Sequence, residues 1–133
     1  MTKVGAERNA LIEKVSDRCT FQIGNALDLP FKEGEFQLVV STFAFHEIHV
    51  PDQTVLLNEV VRVLTPGGAF LVCDLFAGSF VKKYKVKSMP ELLQKIELLG
   101  IEGVKHKTLK ETGVNLGRFA HIWGTAYLSG RKA

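Results

Sequence analysis

No two glycines in this 133-residue sequence stand in a G-x-G spacing. That excludes a dinucleotide fingerprint and a Walker loop, since both need close glycines to bring backbone N–H groups against phosphate. Gly67 and Gly68 are adjacent. They follow a helical pattern and precede an apolar run, the reverse of a phosphate cradle's order. They read as a helix stop and tight turn. G-x-S-x-G is also missing, no Ser/His/Asp or Cys/His set can be placed, and no pair of carboxylates stands out. A hydrolase reading therefore has nothing to rest on. Cysteine is scarce. Cys19 and Cys73 lie far apart, each in an apolar run, and read as two buried reduced thiols rather than a disulfide. The opening "MTKVGAERN" lacks the apolar core of a signal peptide, and no run approaches membrane-spanning length. A cytoplasmic protein with no membrane role is the expectation. The net charge of +3 is too mild to announce nucleic acid.

What is present suits one globular domain, residues 1–133. A chain of this size buries about two-thirds of its unfolded surface, so it needs no staples. Ala6, Ala10, Leu11 and Val15 predict a short helix over 6–15. Residues 19–23 read as a strand. "FQLVVST", 36–42, is apolar almost throughout and reads as a strand covered on both faces. Asp52 can cap a helix running to about Leu64, with Leu56, Val60 and Val63 on its buried face and "TPGG" at 65–68 to stop it. "AFLVCDLF", 69–76, is a second doubly apolar strand. Ser88 and Glu91 form a capping box around Pro90, opening a helix that Gly100 ends. Strands follow at about 102–109 and 118–129. In the last, Phe119, His121, Trp123 and Tyr127 alternate with Ala120, Ile122, Ala126 and Leu128, so both faces are largely apolar. Alternating strands and helices of this kind predict an α/β domain with a mainly parallel sheet.

Two constellations carry chemistry. "HEIH", 46–49, nearly spells a zinc-protease motif, but that needs histidines four apart and position 50 is valine. No third ligand is near, so no metal is expected. His46 instead falls just beyond the carboxyl end of strand 36–42, the edge where open α/β sheets bind ligands; a solvated or capping histidine is the plainer alternative. "KKYKVK", 82–87, has lysines around a tyrosine that could grip phosphate or stack a base. Such a run is more often a solvated loop, and nucleic-acid binding is kept as the weaker alternative.

The order "GNALDLPF", "GEFQLVVSTFAFHEI", "EVVRVLTPGG", "AFLVCDL" resembles the class I S-adenosylmethionine-dependent methyltransferases, small-molecule branch. The resemblance is strong over about 6–76 and looser over 88–131. It implies a partial Rossmann-like sheet with helices on both faces. It also implies that the loop after strand 19–23 meets the adenine of S-adenosylmethionine through Asn25 and Ala26, with Leu27 walling the ring. The family has aspartate where Asn25 stands, and the amide carbonyl can still accept from the exocyclic amine. Ser41, Thr42 and Phe43 match the positions that hold the methionine part, and His46 a position near the methyl-transfer site. Glu47 departs from the pattern, where a second histidine is common. Methyl transfer rests mostly on alignment, so the missing catalytic dyad is no objection.

The family begins with a strand, a G-x-G-x-G loop, a helix and a second strand ending in a ribose-binding acid. Met1 to Arg18 resembles the helix after that second strand, so the chain looks like a methyltransferase begun two strands late. The resemblance implies weak or absent cofactor binding by the isolated chain, or else a partner that supplies the missing part; a vestigial association module is the non-enzyme alternative. It further implies an orphan edge at 36–42 and a homodimer through it. The methyl acceptor is unspecified.

Overall fold

A computed structural model of the chain describes residues 2–114 and 124–133. The chain divides into two compact units, Met1–Pro30 and Phe31–Ala133, treated separately below.

In the first unit, helix α1 spans Lys3–Ile12. Thr2 caps it, accepting from the Gly5 N–H at 3.2 Å, and the left-handed backbone of Lys14 (φ 57°) closes it off. The helix thus lies three residues earlier than the 6–15 expected. Of the predicted apolar stripe only Ala10 is buried, and Leu11 is exposed. Residues 19–23 form no strand. They have no ladder partner among the described residues, and Ile23 is 83% exposed. An apolar run makes a strand only where another strand can pair with it. Cys19 is correspondingly exposed, against the expectation of a buried thiol, whereas Cys73 is buried; both are free.

The second unit is a four-stranded sheet with helices. Strands are β1 (Phe36–Thr42), β2 (Leu64–Leu75), β3 (Ile101–Thr108) and β4 (Thr125–Lys132), in the order β1-β2-β4-β3. Among the described residues only β1 and β2 pair in parallel; β4 runs antiparallel to both β2 and β3. The sheet is therefore mixed, not mainly parallel. Hydrophobic patterning shows which strands are buried but not their direction. β4 begins at Thr125; positions 118–123 of the expected strand lie outside the described residues. Gly130 lets β4 pass close to β3 and β2, since a Cβ there would collide with the Ile101 side chain and come within 3.1 Å of the Phe70 ring.

Helix α2 (Thr54–Val63) buries Leu56, Leu57, Val60 and Val63, as its pattern predicts. Asp52 serves its first turn as expected, accepting from the Thr54 N–H at 2.9 Å. The helix stops at "TPGG", but β2 has already begun at Leu64. Phe36 pairs with Leu64 and Leu38 with Ala69, so the four residues 65–68 loop out of the ladder. Gly67 provides the positive φ (75°) for that excursion. Helix α3 (Ser79–Lys82) is a single turn. Helix α4 (Met89–Glu97) opens on the predicted box: Ser88 accepts from Glu91 N–H, while Glu91 accepts from Lys87 N–H at 2.8 Å. Leu92 and Ile96 are buried.

β1 corrects another expectation. Leu38 is 59% exposed and Val40 54%, so the strand is not covered on both faces. It ends the sheet, with β2 its one ladder partner among the described residues. No described helix is long and apolar enough to cross a membrane.

Candidate functional site

β1 and β2 run in parallel; β1 ends at Thr42, opposite Cys73, and β2 runs on to Leu75. The chain leaves β1 through Phe43, whose N–H donates to the Cys73 carbonyl at 2.8 Å. Phe43 has φ 51°, a left-handed conformation unusual for an aromatic residue. That conformation turns the backbone sharply into a 3-10 turn, Phe45–Glu47, whose polar groups must then find partners.

Asp74 supplies most of them. It sits in the last turnless stretch of β2 and is only 1% exposed. Its Oδ2 accepts from the Phe45 N–H at 2.8 Å and, at 3.4 Å, from the His46 N–H. Its Oδ1 accepts from the Leu75 N–H at 2.8 Å and lies 2.6 Å from His46 Nδ1. A buried carboxylate is tolerated when it is paired in this way. The carbonyls of the turn are held from other elements. Buried Gln53 donates to the Phe45 and Ile48 carbonyls at 2.7 and 3.2 Å, and Lys83 Nζ donates to the His46 carbonyl at 3.0 Å. The His46 side chain, 19% exposed, lies edge-on to Phe43 and Phe80. Its Nε2 meets Glu47 Oε1 at 2.9 Å. Burial pushes the neighbouring Cys73 thiol up, against the lowering effect of Tyr127, and the residue is part of the core.

His46 thus stands where the sequence put it, with Phe43 beside it and half-buried Ser41 and exposed Thr42 on the strand that leads there. The structure adds a pairing that the sequence reading did not contain: Asp74 and His46 are 28 residues apart and in contact. The available signal was a lone acid inside "AFLVCDLF". An acid in a doubly apolar strand needs a partner, and a histidine at the same sheet edge is a natural one. Gln53 and Lys83 were missed as well, and nothing in their local sequence marks them.

Asn25, Ala26 and Leu27 belong to the first unit. There Asn25 Oδ1 accepts from the Leu27 N–H at 3.0 Å, and the Asn25 carbonyl from the Asp28 N–H at 3.0 Å. The result is a self-contained Asx turn with Leu27 40% exposed. Tyr84 of the lysine run is 2% exposed, stacks on Phe76 at 6.3 Å between centroids, and has its phenol pushed far up by burial. It is a core residue and offers no face to a nucleic-acid base.

A mixed α/β sheet whose carboxyl edge carries a built turn defines a Rossmann-like, methyltransferase-type fold. The family described as a methyltransferase domain matches residues 2–72, and the chain belongs to that family, the class I S-adenosylmethionine-dependent methyltransferases. It is 39% identical over 75 residues to a probable chloroplastic tocopherol O-methyltransferase of Oryza sativa subsp. japonica, covering 54% of this chain and 20% of that protein. It is 43% identical over 68 residues to a demethylmenaquinone methyltransferase of Lactiplantibacillus plantarum, covering 51% and 27%. The crystal structure of geranyl diphosphate C-methyltransferase from Streptomyces coelicolor A3(2), in complex with Mg2+, geranyl diphosphate and S-adenosyl-L-homocysteine, superposes with a TM-score of 0.69 at 15% identity. That match covers 98% of this chain and 60% of the other, and speaks for the fold. The chain spans about a fifth to a quarter of the curated relatives it matches.

Proposed function

We propose that this chain carries the acceptor side and the adenine contact of an S-adenosylmethionine-dependent methyl-transfer site. The observation behind the reading is the 45–48 turn, clamped by Asp74, Gln53 and Lys83 at the carboxyl ends of β1 and β2, in a chain of the methyltransferase family. The cofactor supplies an electrophilic methyl on a sulfonium. Asn25 and Ala26 suit the adenine edge: the Asn25 amide oxygen keeps one lone pair beyond its bond to Leu27. Ser41, Thr42 and Phe43 suit the methionine part. The fit stops there, because these 133 residues contain no G-x-G loop to bring backbone against the cofactor. Phe43 and the turn hold the acceptor side in shape and keep His46 at its edge.

The isolated chain should therefore bind S-adenosylmethionine weakly. Calorimetric titration decides this: affinity in the submicromolar range, about −8 kcal/mol or tighter, contradicts the reading. Asn25→Ala should weaken whatever binding is seen, and an unchanged affinity removes Asn25 from the site.

Association is the second part of the proposal. Among the described residues β1 ends the sheet, and it leaves Leu38 and Val40 exposed. An apolar strand with one open edge is a template for another chain, and covering it gains about 25 cal/mol per Å². A homodimer through β1 follows. Light scattering at micromolar concentration tests it, and a monomer with no concentration dependence refutes it.

A further inference from the structure

Two lysines of the second unit each donate to a backbone carbonyl, and they differ in what else they meet. Lys95 Nζ donates to the Tyr84 carbonyl at 2.7 Å and reaches Asp52 Oδ2 at 3.4 Å. Lys83 Nζ donates to the His46 carbonyl at 3.0 Å and stands 5.1 Å from the centroid of the Phe80 ring. No carboxylate pairs with Lys83 among the described residues. The two acids nearest in the turn are engaged elsewhere, since Asp74 and Glu47 each lie against a ring nitrogen of His46. An ammonium has three donors. The carbonyl takes one, and the face of Phe80 attracts the charge without supplying an oxygen acceptor. Lys83 is half-buried and keeps donors and a positive charge to offer. Apolar surface adjoins that charge. Phe80 lies edge-on to His46 at 6.2 Å between centroids, and Phe43, which is 43% exposed, does so at 6.5 Å.

We propose that Lys83 binds the carboxylate of the methyl acceptor, and that the acceptor is an aromatic acid whose ring lies against Phe43 and Phe80. The inference rests on the methyltransferase reading above, which makes this turn the acceptor side. The carboxylate takes the donors that the His46 carbonyl leaves, in a charge-assisted hydrogen bond. The two phenylalanine rings cover the apolar body of the acceptor. One ammonium matches the single charge of a carboxylate, whereas a phosphate dianion calls for more donors. Lys83 thus holds the turn through one N–H and selects acids over neutral acceptors through the others.

The probe is benzoate, added to the ligand-free chain at constant ionic strength and followed by the amide 1H–15N shifts of Phe43, His46 and Phe80. Benzamide has the ring without the charge, and acetate the charge without the ring. Benzoate should shift these amides saturably and bind about tenfold tighter than either. Lys83→Gln keeps a donor for the His46 carbonyl and loses the charge. It should weaken benzoate about tenfold and change benzamide less than about twofold, while Lys83→Arg should keep most of the benzoate affinity. No benzoate shift, benzamide or acetate binding as well as benzoate, or benzoate binding unchanged in Lys83→Gln overturns the proposal. If Lys83→Gln weakens S-adenosylmethionine as much as benzoate, the lysine serves the cofactor's own carboxylate and the proposal falls. The three small probes need no cofactor, so they succeed or fail independently of the titration with S-adenosylmethionine and decide alone where that binding is too weak to read. If Lys83→Gln does not fold, the wild-type comparison of the three probes still decides.

Discussion

Two turns of this molecule, one in each compact unit, are built in opposite ways. The 25–28 turn is held by its own residues, through the Asn25 side chain and backbone. The 45–48 turn is held from three separate elements, by Asp74 on β2, Gln53 just before α2 and Lys83 just after α3. A locally closed turn is cheap to form and cheap to lose. A turn closed by distant side chains is fixed only once the sheet is assembled, and then it is fixed rigidly. The second kind suits a place where a reacting group must be held in line.

The largest effect should come from cutting the distant clamp. Asp74→Ala leaves buried donors without a partner and is expected to cost about 3–5 kcal/mol of stability, read by urea denaturation with unchanged m. A loss below about 1 kcal/mol would mean that the clamp is incidental. Gln53→Leu removes the donor for two carbonyls of the same turn and should cost about 1–3 kcal/mol by the same measurement. Asn25→Ala touches only the local turn and should stay within about 0.5 kcal/mol. If it matches Gln53→Leu, the contrast between the turns disappears.

A pH effect of smaller size should come from β3. His106 is half-buried against Phe76, and burial lowers its pKa, with Glu111 opposing. The unfolded chain then takes up a proton near the ordinary pKa of about 6.5 while the folded chain does not. Stability is full above that pH, falls as pH drops through it, and levels off below the folded value. His106→Phe should flatten the slope between about pH 7 and pH 5, followed by thermal unfolding; an unchanged slope assigns it to other groups. Asp52 acts at lower pH. Burial raises its pKa, but hydrogen bonds from Thr54 and the charge of Lys95 outweigh it, and the net direction is down. Its contribution is therefore kept above the ordinary carboxylate range and lost only as pH falls through it.

The same division between local and distant explains what the sequence could tell. Ser88, Pro90 and Glu91 announce the start of α4 because every partner lies within four residues. The stripe Leu56, Val60 and Val63 announces α2 for the same reason. "CTFQI" is as apolar as a strand, yet it finds no pairing partner among the described residues and makes no strand. The direction of β4 and the looped 65–68 segment depend on register across the sheet, which no short window contains. His46 was legible as a residue at the sheet edge. Its pairing with Asp74 was not, since 28 residues separate them.

Amide hydrogen exchange on the ligand-free chain tests most directly whether the acceptor-side turn is preorganised. The Phe45 and His46 amides, bound to a buried carboxylate, should exchange only at the rate set by global unfolding. The Leu27 amide, bound within an exposed turn, should exchange orders of magnitude faster. Phe45 and His46 amides exchanging as fast as Leu27 would contradict the account, because the turn would then be no better held than the loop that closes on itself.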